Sequence, residues 1–121
     1  GVRAALPDTQ IVAVCGDGSF QMSLMELATM RQWDLPIKFV IMRNGYLGLV
    51  REYQHHTYHD RYSGVSLDGS PDFEKIADAY GLDYFHLEHN DEMEQRIDEF
   101  LACDHAAMMV CEVYSFDLVK E

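Results

Sequence analysis

The sequence predicts an α/β fold in which a mostly parallel sheet has helices on both faces, a three-layer arrangement. Two apolar runs rich in β-branched residues, at 11–14 and 37–42, are typical of strands buried on both faces of such a sheet. Between them, residues 19–33 follow a helical pattern, which completes a strand–helix–strand unit. Two more helices, each followed by a strand, extend the sheet through right-handed crossovers.

The first half of the chain is expected to contain two strands and three helices. In order they are helix 1–6, strand 10–15, helix 19–33, strand 37–42 and helix 46–56. Ser19 can cap the second helix, and Pro36 follows its end. The core face of that helix is expected to carry Phe20, Leu24, Leu27 and Ala28.

The second half begins with a long Gly- and Ser-containing loop and then resumes the alternation. In order we expect loop 59–71, helix 71–80, strand 84–87, helix 91–102 and strand 107–114. Gly81 is placed to close the first of these helices. The apolar stripe of the second is Met93, Ile97, Phe100 and Leu101. Cys15 and Cys111 lie in predicted strands, which favours small core residues over disulfide partners.

Composition limits the class of protein. A chain of 121 residues with 48% hydrophobic residues is large enough for one globular domain. Its formal net charge of −12 argues against nucleic acid or an anionic membrane as a partner. The apolar runs are too short to span a bilayer and no signal-peptide pattern is present, so we expect a cytoplasmic protein.

Two short polar motifs follow the first two predicted strands, Gly16-Asp17-Gly18-Ser19 and Asn44-Gly45-Tyr46. Ligands of open α/β sheets bind at the carboxyl ends of strands, where both motifs fall. Glycines permit close backbone approach, and free amides at a helix start suit an anion. Carboxylate, amide and carbonyl oxygens suit a hard ion such as Mg²⁺. Asp-Gly and Asn-Gly are also ordinary turn dipeptides, so neither motif is decisive alone.

The two motifs taken together resemble the thiamine diphosphate binding motif, in which Gly-Asp-Gly is separated from Asn by a helix and a strand. The surrounding sequence, GDGSFQMSLMELATMRQWDLPIKFVIMRNGYLGLVREYQ, resembles the acetolactate synthase large subunit in particular. The similarity continues through residues 58–63 and 71–73 and extends more weakly to the end of the chain.

The resemblance implies a role for particular residues. The metal would be held by the Asp17 carboxylate, the Asn44 side chain and the carbonyl of Tyr46. The residues expected to bind the cofactor are Gly16, Asp17, Gly18, Ser19, Asn44, Tyr46, Leu47, Gly48 and Leu49. The substrate pocket would include Leu49, Val50 and Tyr53, the last at a position where similar enzymes often have a Trp that helps choose the second substrate. Arg43 replaces the first Asn of the family's Asn pair, which is not a metal ligand.

The resemblance also implies a reaction and an assembly. The cofactors would be thiamine diphosphate and Mg²⁺, with FAD possible elsewhere in the full-length enzyme. Pyruvate would be decarboxylated and joined to a second 2-oxo acid, as in branched-chain amino acid biosynthesis. Partners would be further N-terminal domains, a second subunit in a homodimer or tetramer, and a regulatory subunit. The family's activating Glu has no match here, so no catalytic residue is assigned. Residues 1–121 are expected to be a partial, diphosphate-side domain, incomplete at its N-terminus and inactive alone.

Two alternatives stay open. Another thiamine diphosphate-dependent decarboxylase or carboligase would share the metal motif, although the sequence at 47–54 favours acetolactate synthase. A non-catalytic flavodoxin-like or receiver-like module could use Asp17 for a metal alone. His55, His56 and His59 are interpreted as solvated loop residues. A zinc pair at His55 and His59 is the lesser hypothesis, because no third ligand lies at a familiar spacing.

Overall fold

The structure is a computed structural model that describes residues 1–115, and its centre is a parallel sheet. The strands are β1 (Ile11–Gly16), β2 (Ile37–Arg43), β3 (Asp83–Leu87) and β4 (Ala107–Glu112). The helices are α1 (Val2–Ala5), α2 (Asp17–Met22), α3 (Glu26–Gln32), α4 (Gly48–Tyr58), α5 (Phe73–Tyr80) and α6 (Met93–Ala102), with a 3₁₀ turn at Asn90–Glu92. Within residues 1–115, no helix is long and apolar enough to cross a membrane.

The sheet order is β1–β2–β4–β3, and every neighbouring pair is parallel. Ile11 is level with Ile37, and Ala107 is level with both Lys38 and Asp83. This register places the carboxyl ends of the strands along one edge and their amino ends along the opposite edge. The predicted parallel α/β sheet is therefore confirmed.

Helices cover both faces of the sheet, as predicted. On one face, α2, α3 and α5 pack against side chains of β2 and β4 in a cluster that includes Phe20, Leu27, Phe73 and Val110. On the other face, α6 places Phe100 against Met109. Successive residues of β4 enter the two clusters in turn, as the alternation of side chains along a strand requires, so β4 is the strand buried on both faces.

The single helix predicted at 19–33 is wrong in detail, because the segment forms two helices. The carbonyls of Ser23, Leu24 and Met25 accept hydrogen bonds from the amides three residues later, whereas an α-helix uses the amides four residues later. These tighter turns separate α2 from α3. The changed direction turns Met30 into the core and leaves Ala28 exposed. Ser19 is not the cap, since α2 begins directly at the strand end with Gly16 as its N-cap.

Of the two runs predicted to be strands buried on both faces, β2 is buried or half-buried from Ile37 to Ile41, whereas β1 is covered on one face only. Val12 and Val14 point away from the first cluster and are exposed, Val14 at 66%, because β1 is an edge strand and α6 packs on the other half of the sheet. Lys38, within the second apolar run, is buried beneath α6, with its ammonium 5.3 Å from the Phe100 ring centre. Met93 and Leu101 of the predicted stripe are also exposed.

The remaining elements agree closely with the sequence prediction. Helix α5 is capped by Asp72, whose Oδ1 accepts from the Lys75 amide at 3.2 Å, and it closes at Gly81 with φ +70°. Helix α4 begins two residues later than predicted and also ends two residues later. Cys111 is buried, Cys15 is half-buried, and both are free.

Candidate functional site

The candidate site lies at the carboxyl edge of the sheet, where β1 and β2 end side by side. Gly16 is the last residue of β1, and Asp17 opens α2 without an intervening loop. The Asp-Gly turn pattern would place Asp17 in an exposed loop, but the residue is only 1% exposed. Its Oδ1 accepts from the Gly18 amide at 2.9 Å and its Oδ2 accepts from the Gly45 amide at 2.8 Å. The carboxylate thus joins the β1–α2 junction to the turn after β2.

The turn after β2 is built around Asn44. The Asn44 Oδ1 accepts from the Tyr46 amide at 3.0 Å, and Gly45 has φ +73°, which a glycine adopts without strain. A neighbouring segment holds the turn, because the Leu47 amide donates to the Val65 carbonyl at 2.9 Å. The Asn44 side chain therefore has a fixed position beside Asp17's hydrogen-bonding partner, Gly45.

Gly18 marks the closest approach between the two motifs. A Cβ atom at this position would lie 2.7 Å from Cδ2 of Leu47 and 3.3 Å from Cδ1 of Leu67. At Gly48, a Cβ would lie 3.3 Å from Nδ2 of Asn44. The absence of a side chain at Gly18 lets α2 approach the segment after β2, and its absence at Gly48 leaves room for the Asn44 side chain.

The two motifs enclose a cavity of about 270 Å³. Its lining contains seven of the predicted cofactor residues: Gly16, Asp17, Gly18, Ser19, Asn44, Tyr46 and Leu47. Met42, Val113 and Tyr114 complete the lining, and the sequence analysis missed them. The paired apolar strands β2 and β4 could have indicated them, since both strands end at this edge.

The predicted substrate residues lie outside this lining. Leu49 and Tyr53 are 80% and 58% exposed on α4, and Val50 is also exposed. Tyr53 contacts the Tyr58 ring edge-on, with 5.8 Å between the ring centres. Gly48 and Leu49, expected to bind the cofactor, do not line the cavity either. The structure brings the metal motif together but leaves the α4 residues on an open surface.

Arg51 is a buried cation that the sequence analysis did not single out. Its guanidinium lies 4.3 Å from the ring centre of Tyr46 and 5.4 Å from that of Tyr62, and it donates to the Ser115 carbonyl. It follows Leu47 by one helical turn, so the spacing alone could have placed it on the inner face of α4. Arg51 thereby fixes Tyr46, whose backbone borders the cavity.

Arg43, which departs from the family pattern, is directed to Glu112 on β4. Its Nη1 lies 3.1 Å from Oε1 of Glu112, and the same oxygen lies 3.2 Å from Nε2 of His86. The guanidinium carbon is 5.8 Å from the Phe73 ring centre. Arg43 does not line the cavity. Its positive charge is balanced by Glu112, beside the site.

The histidines near the end of α4 do not form a metal pair. His55 and His56 lie in α4, in agreement with the helix predicted at 46–56 and not in a loop, and His59 ends the helix with φ +51°. Nδ1 of His55 lies 2.5 Å from Oδ1 of Asp60, which also accepts from the Tyr62 hydroxyl at 2.6 Å. The hydrogen bonds from Tyr62 and then His55 lower the pKa of Asp60. Within the described chain, neither His55 nor His59 belongs to a cluster of three metal-ligating side chains.

The oxygen donors at the cavity suit a hard cation. Among the described residues, no Lys, Arg or His side chain forms an ion pair with Asp17, although the carboxylate is buried. A buried carboxylate is costly unless it is paired or coordinates a metal. Each carboxylate oxygen and the amide oxygen of Asn44 retains a lone pair beyond its amide bond. These residues therefore fit a divalent ion such as Mg²⁺, which also binds phosphate oxygens.

Comparison with known proteins gives a consistent set of similarities. The family described as "Thiamine pyrophosphate enzyme, C-terminal TPP binding domain" matches residues 1–113. The chain is 39% identical over 114 residues to an acetolactate synthase of Arthrospira platensis, covering 93% of this chain and 19% of that protein. It is 41% identical over 101 residues to the acetolactate synthase isozyme 3 large subunit of Escherichia coli (strain K12), covering 84% and 18%. The chain thus spans about a fifth of the length of these relatives.

Proposed function

Because the chain belongs to the thiamine pyrophosphate enzyme family, with the C-terminal TPP-binding domain, we propose that its cavity binds the diphosphate of thiamine diphosphate through Mg²⁺. The metal ligands in this proposal are Asp17, Asn44 and the Tyr46 carbonyl. Residues proposed to lie around the diphosphate are Gly16, Gly18, Ser19, Leu47, Gly48 and Leu49. The observation that carries the proposal is the buried Asp17 carboxylate, held by two amides and facing a cavity lined by Asn44.

Electrostatics supports a metal-mediated site. A protein with a formal net charge of −12 does not attract a diphosphate by its overall field. Arg43, which precedes Asn44 in the chain, is already paired with Glu112. A divalent ion bound by Asp17 and Asn44 would reverse the sign of the local charge, and the diphosphate oxygens would complete its coordination.

The proposed reaction follows the named relatives. When bound, the cofactor supplies the carbon–carbon bond chemistry, and the protein supplies binding, orientation and electrostatics. In this chain, Asp17 and Asn44 would hold the metal, while Met42, Val113 and Tyr114 would border the bound group on one side of the cavity. We propose pyruvate and a second 2-oxo acid as substrates, with Leu49, Val50 and Tyr53 facing them once further domains or a second subunit cover α4. No described residue is assigned as the acid or base.

The proposal is tested by calorimetric titration of thiamine diphosphate into the purified chain with and without Mg²⁺. Binding should require the metal, and Asp17→Asn should weaken it by at least about tenfold, or about 1.4 kcal/mol. Asp8→Asn is the matched control, because Asp8 is exposed and lies far from the cavity lining. Cofactor affinity that is unchanged by Asp17→Asn, or by removal of Mg²⁺, would remove Asp17 from the site.

A further inference from the structure

A second group of metal-ligating side chains lies at the opposite, amino edge of the sheet. Asp83 opens β3, while Cys103 and His105 lie in the connection between α6 and β4. The Asp83 amide donates to the Ala106 carbonyl at 3.0 Å, which holds the start of β3 against this connection. At about 3.3 Å per residue, the six residues of β4 separate this edge from the carboxyl edge by roughly 15–20 Å.

The three side chains converge on a common point. Sγ of Cys103 lies 3.0 Å from Oδ2 of Asp83, and Nδ1 of His105 lies 3.6 Å from the same oxygen. All three ligand atoms lie within 4.8 Å of one another. Zinc–ligand bonds of about 2.0–2.3 Å in a tetrahedral site imply ligand–ligand distances of roughly 3.3–3.8 Å. The distance from Asp83 to His105 falls in this range and the distance from Cys103 to Asp83 is shorter, so side-chain adjustment is needed to seat an ion.

We propose that Asp83, Cys103 and His105 form a three-ligand site for Zn²⁺ or a similar borderline divalent cation, with the fourth position open to water. A thiolate, an imidazole and a carboxylate form a mixed donor set that suits Zn²⁺ or Co²⁺, whereas Mg²⁺ prefers oxygen ligands. Among residues 1–115, this is the one cluster of three such side chains. The site is separate from the cavity at Asp17 and goes beyond the proposed cofactor function.

The solvent exposure of the side chains and the fixed backbone around them favour binding of a metal ion over contacts among the three side chains alone. The Asp83 and His105 side chains are 54% and 83% exposed, so an ion can reach them and one coordination position stays open to solvent. Lys38 donates from Nζ to the Cys103 carbonyl at 2.5 Å, which fixes the backbone that carries the thiol. On binding, the ion takes the place of the Cys103 thiol proton, which is released to solvent.

The test uses the full 121-residue chain, reduced and metal-free, titrated with Co²⁺. One equivalent should give a thiolate-to-cobalt charge-transfer band in the near ultraviolet and strong visible bands typical of tetrahedral cobalt, and one equivalent of Zn²⁺ should remove them. Cys103→Ser should abolish the charge-transfer band, and His105→Ala should weaken Co²⁺ binding by at least about tenfold. Cys15→Ser and His89→Ala are matched controls outside the cluster and should bind as the unmodified chain does.

Several outcomes would overturn the proposal. They are absence of the charge-transfer band in the unmodified chain, its persistence in Cys103→Ser, and equal loss in Cys15→Ser. If Cys103→Ser does not fold, the exposed His105 provides the decisive variant, and unchanged cobalt affinity in His105→Ala refutes the site. Asp17→Asn should leave the cobalt spectrum intact, so failure of the cofactor proposal and failure of this one are distinguishable.

Discussion

Replacement of Asp17 by Ala should destabilise the fold even without cofactor, because the carboxylate also has a structural role. It accepts from the Gly18 and Gly45 amides, and the Gly18 interaction is buried. A hydrogen bond to a charged group contributes about 1.5–3 kcal/mol, and an unsatisfied buried donor costs about 1–3 kcal/mol. Removing the buried charge offsets part of this loss. We therefore expect the free energy of unfolding to fall by about 2–4 kcal/mol, a large part of the 5–15 kcal/mol typical of a domain.

Asp17→Asn separates hydrogen bonding from charge. Its side chain keeps one acceptor oxygen, so the stability loss should be about half that of Asp17→Ala. Both variants should lose metal-dependent cofactor binding. Urea unfolding followed by far-ultraviolet circular dichroism measures the stability change, provided that the slope m is unchanged.

Asp8→Ala provides the control for this experiment. Asp8 is exposed, and surface substitutions usually change stability by less than about 0.5 kcal/mol. An Asp17→Ala variant as stable as this control would refute the argument, since the two amides would then not depend on the carboxylate. An Asp17→Asn variant no more stable than Asp17→Ala would show that the retained acceptor oxygen contributes nothing and that the charge, rather than the acceptors, holds the turn.

Two further predictions concern other parts of the chain. Hydrogen bonds from Lys75 lower the pKa of Asp72, so the stability that this cap contributes is present above the unfolded-state pKa and is lost as pH falls through the lower folded-state pKa. The difference in urea midpoint between the unmodified chain and Asp72→Ala should therefore be constant near neutral pH and shrink in acid; a difference that grows in acid would contradict this sign. In the acetolactate synthase proposed to contain this domain, Tyr53→Trp should raise the preference for 2-oxobutyrate over pyruvate as the second substrate by roughly 1–3 kcal/mol, the scale of a shape change in an apolar pocket. A competition assay whose product ratio does not move would remove Tyr53 from the substrate pocket.

Features that depend on local sequence were predictable from the chain alone. The apolar runs at 11–14 and 37–42 identified β1 and β2, because few conformations other than strands accommodate such short, β-branched runs between turn residues. The predicted start at residue 71 and the closing Gly81 located the ends of α5, the start to within two residues. Capping residues specify a boundary through their own backbone and side-chain hydrogen bonds, so no tertiary information is needed to predict these ends.

Features that depend on tertiary packing were not predictable. The break between α2 and α3 contains neither Gly nor Pro, and its position follows from packing Phe20 and Met30 into the same cluster. Burial of Asp17 depends on the Gly45 amide, which reaches it only after β1 and β2 pair. Lys38 lies in an apolar run, but its burial requires the Cys103 carbonyl and the Phe100 ring from distant segments. These side chains acquire their partners only through the fold.

The parallel sheet keeps the two proposed cation sites, which differ in their ligand chemistry, apart within one small domain. All four strands run in the same direction, so the junctions that follow strands gather at one edge and those that precede strands gather at the other. The first edge collects Asp17 and Asn44, which offer only oxygen. The second collects Asp83, Cys103 and His105, which add sulfur and nitrogen. Since hard Mg²⁺ avoids thiolate and borderline Zn²⁺ favours it, ligand chemistry directs each ion to its own edge. This arrangement requires that the two sites fail separately. Asp17→Asn should lose Mg²⁺-dependent cofactor binding, and Cys103→Ser should lose cobalt binding.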